Sequence, residues 1–241
     1  MLTIKKLLIP LEKIWRISAG GLAPVHMYVV QVENKSFIVD AMTRNRARAI
    51  AAVITSRPEI PRPSEIVLTH CHGDHTGSAA ALSQLWSIPC LCSEAEQPFV
   101  SGEKPLWTAA AGRWTAQFLR MSQTLGLVQG PPVTDIRHFE RVDYESGWVV
   151  VPIPGHTPGH IALWREHSRT LIAGDGLFNF FDRLSRDPFP GVSIDPRAEW
   201  SAIERLSALE PDHLLLGHGR AIIGNATARI REYLERLGKT G

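Results

Sequence analysis

The sequence has little of what marks a membrane protein or a nucleic-acid-binding protein. Its 241 residues contain no uncharged apolar run long enough to cross a bilayer, and the apolar stretch after Lys5 and Lys6 is interrupted by Pro10, Glu12 and Lys13. No run rich in Lys and Arg occurs, and the formal net charge is only +2. We therefore expect a cytoplasmic protein with neither nucleic-acid nor membrane partners.

Cysteines are also few. The chain has three, Cys71, Cys90 and Cys92, an odd number without the spacing of a disulfide framework. This favours free thiols in a reducing compartment. A linker rich in Ser and Gly is missing as well, and hydrophobic residues make up 44% of the chain, which is enough for a substantial core. We expect a single domain over residues 1–241.

What the sequence does contain is two strand-rich blocks, each followed by helices. The first block is predicted to have strands at 25–32, 36–40, 65–68 and 89–92 and helices at 44–56 and 77–86. The second is predicted to have strands at 148–153, 161–164, 169–173 and 212–216 and helices at 197–209 and 225–237. Two mixed β-sheets, packed face to face and covered by helices, satisfy this α/β order.

A segment of different character lies between the blocks. Within a helical insertion around residues 94–127, the large apolar side chains follow the spacing of one helical face; they are Trp107, Trp114, Phe118, Met121 and Leu125. The spacing favours a helix over 105–125 whose apolar stripe packs on the body of the domain. The alternatives are a lid over a substrate and a face for a homodimer.

The densest group of polar residues follows the predicted strand at 65–68. His70, His72, Asp74 and His75 place three imidazoles and a carboxylate within six residues. A solvated His-rich turn is the plain alternative, but clustered imidazoles and carboxylates are the ligands of borderline divalent cations. The cluster predicts a metal site on the loop that leaves this strand.

Three further segments place similar side chains after apolar strands. They are Pro154-Gly155-His156-Thr157-Pro158-Gly159-His160, Gly174-Asp175-Gly176 and Gly217-His218-Gly219. Because strand ends of one sheet meet at one edge, residues that are distant in sequence can converge there. The donor types suit a pair of divalent cations, and an anionic carboxylate shared between them offsets their repulsion. Asp175 is the candidate bridge.

Together these motifs resemble those of the metallo-β-lactamase superfamily, over the span from Asp40 to His218. The resemblance implies a four-layer αββα sandwich with two divalent cations at one edge. Zinc is the expected metal, with iron or manganese as alternatives. It also implies a division of the ligands, in which His70, His72 and His156 hold the first cation, Asp74, His75 and His218 hold the second, and Asp175 bridges them.

The resemblance further implies a hydrolase in which hydroxide held between the metals attacks the substrate. Asp74 would act as the catalytic residue that orients this water or carries its proton. Asp40 would brace the metal loop from behind, and His160 would form a hydrogen bond behind the site. No Gly-x-Ser-x-Gly motif offers a competing nucleophile, and Cys71 is expected to point away from the ligands beside it.

The substrate is less well defined by the sequence, because one fold serves many substrates. The segment 174–178 resembles hydroxyacylglutathione hydrolases, yet only residues 219–241 follow the last ligand, too few for their glutathione-binding domain. Lactonases of the superfamily place a tyrosine where this chain has Phe178. Phe178 and Phe180, with the segment up to Pro188-Phe189-Pro190, are expected to line a pocket opposite Trp107 and Trp114, unless these phenylalanines only fill the core.

An ester, thioester or lactone of a small hydrophobic acid is therefore the expected small-molecule substrate. Two alternatives remain at this point. One is an iron-dependent sulfur dioxygenase of the same fold, and the other is a metal-binding member that has lost catalysis.

Overall fold

The computed structural model describes residues 1–20, 24–110, 112–124, 129–139, 143–144, 147–186 and 193–238. Leu125 of the apolar stripe and the expected pocket wall at Pro188-Phe189-Pro190 lie outside these residues. In the described part of the chain, every helix is too short or too polar to cross a membrane. The three cysteines are free, as predicted.

Two large β-sheets dominate the described residues. The first has seven strands that lie side by side in chain order: β1 (Leu2–Lys6), β2 (Lys13–Ala19), β3 (Val25–Val32), β4 (Lys35–Val39), β5 (Pro63–Val67), β6 (Cys90–Cys92) and β7 (Ile136–His138). The second sheet has six strands. They lie side by side in the order β8 (Asp143–Tyr144), β9 (Trp148–Pro152), β10 (Ile161–Arg165), β11 (Thr170–Ile172), β14 (His213–Leu215) and β15 (Ile222–Ile223). A separate hairpin consists of β12 (Phe178–Phe180) and β13 (Arg183–Ser185).

Helices connect and cover the sheets. In the described residues they are α1 (Ala47–Thr55), α2 (Gly73–Thr76), α3 (Ala79–Trp86), α4 (Gln97–Val100), α5 (Arg113–Thr124), α6 (Pro196–Ala208) and α7 (Ala226–Arg236), together with a 3-10 turn at Leu106–Ala109. The strands and helices predicted in the two blocks are confirmed to within a few residues. The structure adds β1, β2, β7, β8, β15, the β12–β13 hairpin and the short helix α2, which the sequence pattern did not reveal.

The alternation of side chains along the strands produces three apolar layers. Met27 and Val29 of β3 pack in one core cluster with residues of α1 and α3, whereas Tyr28 and Val30 of the same strand face the second sheet. Leu163 of β10 meets them there, and the residues on either side of it pack in a third cluster with α6 and α7. The order helix, sheet, sheet, helix confirms the αββα sandwich.

Parallel pairing sets the position of the site. In the first sheet β4, β5 and β6 run parallel, and in the second β11 and β14 do. The residues that follow these strands therefore emerge at the same edge. Backbone hydrogen bonds join the two sheets there, from His26 N–H to the Gly217 carbonyl (2.8 Å) and from Ile161 N–H to the Thr69 carbonyl (3.0 Å).

The prediction that the apolar stripe packs on the domain body is wrong for α5. Trp114 is 78% exposed and Met121 is 60% exposed, while Leu119 on another face is fully buried in the core. The reason is that 105–125 is not one helix. Ala110 has an extended backbone (ψ 129°) after the 3-10 turn, which changes the rotational phase between Trp107 and the residues of α5.

Candidate metal centre

The first group of candidate ligands lies where β5 leads into α2. His70 and His72 occupy the extended connection, and α2 begins at Gly73, so that Asp74 and His75 lie on a helical turn rather than on the loop predicted from the sequence. The extended backbone of His72 (ψ 145°) marks the change from strand to helix. Consequently Asp74 and His75 project in a different direction from His70 and His72, which allows the short motif to serve two cations.

The remaining candidates come from the second sheet. His156 lies on the connection from β9 to β10, Asp175 follows β11, and His218 follows β14. Gly217 allows the last two connections to come together, because a Cβ atom on Gly217 would collide with Asp175 Oδ1 and with the His75 ring. The sequence thus requires glycine beside His218 for the carboxylate to reach the imidazoles.

The structure brings all seven predicted ligands together in three overlapping groups. Within each group the ligand atoms lie within 4.8 Å of one another. The groups are His70, His72 and His156; His70, His75 and Asp175; and Asp74, His75 and His218. The first and third groups match the two sets of ligands implied by the sequence motifs, and the second contains the carboxylate expected to bridge them.

Asp175 lies between these groups. Its Oδ2 atom is 3.6 Å from His156 Nε2 and 3.4 Å from His218 Nε2, and its Oδ1 atom is 3.3 Å from His75 Nε2. Asp74 approaches from the solvent side, with Oδ2 3.1 Å from His218 Nε2 and 31% of its side chain exposed. One carboxylate therefore touches imidazoles of both sets, and the other meets water.

The donor set fits divalent cations. The buried Nε2 atoms of His70, His72 and His156 and the Oδ1 atom of Asp175 have no hydrogen-bond partner among the described residues. Buried polar atoms are rarely left without a partner unless they bind something else. Four such atoms directed at one another supply neutral nitrogen and anionic oxygen donors, which are the ligands that zinc and similar metals prefer.

The protonation states agree with this interpretation. Burial lowers the pKa of His70 and of His156 well below the usual range, and lowers that of His72 to about 4. These imidazoles are therefore neutral at pH 7 and free to bind a cation. Burial raises the pKa of Asp175, but the nearby His75 and His218 outweigh it and hold that pKa well below its ordinary value, so the carboxylate is ionised.

Asp40 lies behind the site, as the resemblance implies. Its Oδ2 atom is 2.8 Å from His75 Nδ1, and its Oδ1 atom accepts a hydrogen bond from Thr69 N–H at 2.8 Å. Burial lowers the pKa of His75, but the carboxylates of Asp175, Asp40 and Asp74 outweigh it and raise that pKa well above its ordinary value. His160 also lies behind the site, with its ring centroid 4.8 Å from that of His70, and belongs to none of the three groups.

Of the predicted pocket residues, the two phenylalanines lie at the metal edge. The Phe178 ring stacks on His218 at 5.7 Å and lies 6.0 Å from His156, and Phe180 stacks on Phe178 at 6.2 Å. The two tryptophans make their described ring contacts elsewhere, Trp107 with Arg120 and Trp114 with Arg113. A role for these tryptophans in substrate binding stays a prediction.

Sequence reasoning missed the residues that hold the ligand-bearing loops. His26 contacts the Gly219 carbonyl through Nε2 (2.7 Å) and Ser18 Oγ through Nδ1 (2.8 Å). Tyr28 donates a hydrogen bond from its hydroxyl to the Leu216 carbonyl at 2.6 Å. Both residues fix the turn that carries His218. The inward position of His26 on β3 was the only available signal, and Tyr28 has the alternation of an ordinary core residue.

The chain is similar to a known protein family and to several known proteins. The family model described as metallo-beta-lactamase superfamily matches residues 20–218. A probable metallo-hydrolase, YflN, of Bacillus subtilis is 29% identical over 186 residues, covering 71% of this chain and 70% of that protein. A hydroxyacylglutathione hydrolase of Cereibacter sphaeroides is 35% identical over 159 residues, covering 65% of this chain and 49% of that protein.

Solved structures show the same fold. The di-iron-bound form of TTHA1623 superimposes with a TM-score of 0.64 at 24% identity, covering 86% of this chain and 93% of that one. At this level of identity the likeness concerns the arrangement of the sheets and helices alone.

Proposed function

Because the chain belongs to the metallo-β-lactamase superfamily, we propose that it is a metal-dependent hydrolase with two divalent cations, expected to be zinc. Its proposed substrate is an ester, thioester or lactone of a small apolar acid. The observation that carries the proposal is the position of Asp175, whose two oxygen atoms lie 3.3 Å from His75 Nε2 and 3.4 Å from His218 Nε2 while Oδ2 is also 3.6 Å from His156 Nε2. This placement supports a bridging carboxylate.

Bound cations of this kind act as Lewis acids and lower the pKa of a coordinated water to about 7. The protein's own part is to orient the reacting groups and to accept a proton. Asp74 suits that part, because its side chain is the most accessible carboxylate of the three groups. Burial raises the pKa of Asp74, but His75 and His218 lower it to about 2, so the carboxylate is ionised and its oxygen can accept a proton from an attacking water.

The aromatic hairpin supports an apolar acyl group. Phe178 is 3% exposed and covers the rings of His156 and His218, and Phe180 extends this surface outward on β12. An apolar substituent resting on these rings would lose contact with water as its carbonyl approached Asp74 and Asp175. The same rings donate no hydrogen bond, which favours an acyl chain over a polar head group at this wall.

The test combines metal analysis with turnover. We expect about two cations per chain by elemental analysis, and hydrolysis of aliphatic thioesters, esters or lactones but not of phosphodiesters. The variant His72→Ala removes an imidazole from the first group and should abolish turnover in a folded protein. His167→Ala, which removes an exposed histidine, is the matched control and should retain full activity.

Other outcomes would reject the proposal. A protein with one iron and oxygen-dependent oxidation of a persulfide, but no hydrolysis, would identify a sulfur dioxygenase instead. A protein that binds cations but hydrolyses no substrate in the panel, either as the wild type or as His72→Ala, would be a metal-binding member of the superfamily without catalytic activity.

A further inference from the structure

The turn between β6 and α4, formed by residues 93–96, holds the loop that carries His156. Ser93 donates a hydrogen bond from its hydroxyl to the Gly159 carbonyl at 2.7 Å, and Glu96 Oε1 accepts one from Gly159 N–H at 2.6 Å. The contact is so close that a Cβ atom on Gly159 would collide with Ser93 Oγ and Ala95 Cβ. The 93–96 turn therefore forms hydrogen bonds with the peptide groups on both sides of Gly159.

The same carboxyl group reaches the loop that carries His70 and His72. The Glu96 carboxyl group also interacts with the thiol and the backbone N–H of Cys71. Cys71 stands between His70 and His72, with its side chain directed away from the candidate ligand atoms into the core. One buried carboxyl group thus contacts both loops of the first ligand group.

Burying the Glu96 carboxyl group costs free energy, and the interactions with the two loops must offset that cost. Glu96 is fully buried, and burial raises its pKa in spite of the hydrogen bonds that lower it. Among the described residues no Lys or Arg forms an ion pair with Glu96. A buried carboxyl group without a cationic partner needs hydrogen-bond donors, and here the donors, Gly159 N–H and the groups of Cys71, belong to the two loops that must converge.

We propose that Glu96 is a positioning residue that holds the two loops at the separation at which His70, His72 and His156 bind one cation. Glu96 thereby sets the affinity for the first metal. The inference rests on the metal site of the proposed function and is independent of the substrate.

The decisive variant is Glu96→Gln, which keeps the size of the side chain. The groups that interact with the Glu96 carboxyl group, Gly159 N–H and the thiol and N–H of Cys71, are hydrogen-bond donors, and an amide directs its own N–H atoms at some of them, so that part of the contact is lost. Two matched controls remove a carboxylate elsewhere. Glu94→Gln changes an exposed residue of the same turn, and Glu12→Gln changes a buried residue paired with Arg165 (3.1 Å) at the far end of β10.

The measurement is the affinity of each protein for Zn²⁺ and Co²⁺ alone, by competition with a chromogenic chelator. We expect Glu96→Gln to weaken binding of the first cation by about 10- to 100-fold, with an altered Co²⁺ absorption spectrum, and both controls to match the wild type. The rise in Tm on adding metal should shrink in Glu96→Gln. A purely structural role would lower the Tm of metal-free and metal-loaded protein equally and leave the affinity unchanged.

An affinity of Glu96→Gln within twofold of the wild type, or an equal loss in Glu94→Gln, would overturn the proposal. If Glu96→Gln does not fold, Ser93→Ala replaces it, since that variant removes only the donor to the Gly159 carbonyl. We expect Ser93→Ala to weaken binding of the first cation about fivefold. An unchanged affinity would overturn the proposed role of the 93–96 turn. Wild-type protein that binds two cations without hydrolysing acyl substrates would end the proposed function and leave this inference standing.

Discussion

The carboxylate of Asp40 and the imidazole of His75 are joined by a contact of 2.8 Å between Oδ2 and Nδ1. A carboxylate oxygen accepts hydrogen bonds, so Nδ1 of His75 carries the hydrogen and donates it. Nε2 of His75 is then left as the metal-binding nitrogen, and it lies 3.3 Å from Asp175 Oδ1. Asp40 therefore selects the tautomer that the metal centre needs.

We predict that Asp40→Asn weakens binding of the second cation by about 10- to 100-fold. The amide can still accept from Thr69 N–H, but its N–H atoms oppose the His75 Nδ1–H and force the ring to turn or change tautomer. The measurement is zinc content after dialysis against graded chelator. Asp212→Asn, at an exposed carboxylate paired with Arg169, is the control, and wild-type zinc content in Asp40→Asn would contradict the prediction.

Phe178→Tyr should increase lactone hydrolysis relative to thioester hydrolysis. The ring stacks on His218 at the metal edge, so a hydroxyl on it would add a donor beside the reacting carbonyl. One such hydrogen bond is worth about 1 kcal/mol, or about fivefold in kcat/KM. Phe180→Tyr, one ring farther from His218, is the comparison. An equal change in the ratio of lactone to thioester hydrolysis in both variants would contradict a specific role for position 178.

The faces of α5 should differ sharply in their effect on stability. Trp114→Ser and Met121→Ser change exposed residues and should shift the free energy of unfolding by no more than about 0.5 kcal/mol. Leu119→Ala removes a fully buried side chain and should cost about 2–5 kcal/mol. Urea denaturation of the metal-free proteins gives these values. A large loss in Trp114→Ser would mean that the helix packs through the other face.

His213 should make the protein less stable in mild acid. Burial lowers the pKa of His213 below its ordinary value of 6.5, although Asp212 raises it, and the neutral Nδ1 atom accepts a hydrogen bond from Gly224 N–H at 3.0 Å. The unfolded chain therefore binds the proton more readily than the folded one. The contribution of His213 is fully present above about pH 6.5 and is lost as the pH falls below it.

The measurement for His213 is the urea midpoint of metal-free protein between about pH 7.5 and 5.5. His213→Asn places an amide oxygen near the position of Nδ1 and cannot be protonated in this range. Its midpoint should fall less steeply with acid than that of the wild type, and parallel curves would contradict the prediction. Subtracting the urea midpoint of His213→Asn from that of the wild type at each pH removes the effect of the other histidines.

The metal centre was predictable because its chemistry is concentrated in short segments after apolar strands. His70, His72, Asp74 and His75 need no knowledge of the fold to be noticed, and the strand pattern indicates that His156, Asp175 and His218 converge with them. What the strand pattern did not reveal was α2. The helical turn that separates Asp74 and His75 from the two preceding histidines is only four residues long, too short for a periodic pattern.

Two other features depend on contacts between distant residues and were not predictable. Glu96 meets Gly159 across 63 positions of the chain, and nothing near Glu96 in the sequence distinguishes it from a surface residue. For α5, the spacing of the large apolar residues is compatible with a helix, but the break at Ala110 decides which face turns inward. The local periodicity of the sequence predicts that a helix has an apolar face, but tertiary packing determines whether that face is buried.

The candidate ligands are divided between the two sheets, with His70, His72, Asp74 and His75 following a strand of the first and His156, Asp175 and His218 following strands of the second. A pair of cations bound there would be a crosslink between the N-terminal and C-terminal halves of the chain. Pulling the two halves apart would then require breaking coordinate bonds as well as exposing the apolar layer between the sheets. The chain would accordingly resist mechanical force, proteases and heat more strongly as the free metal concentration around it rises.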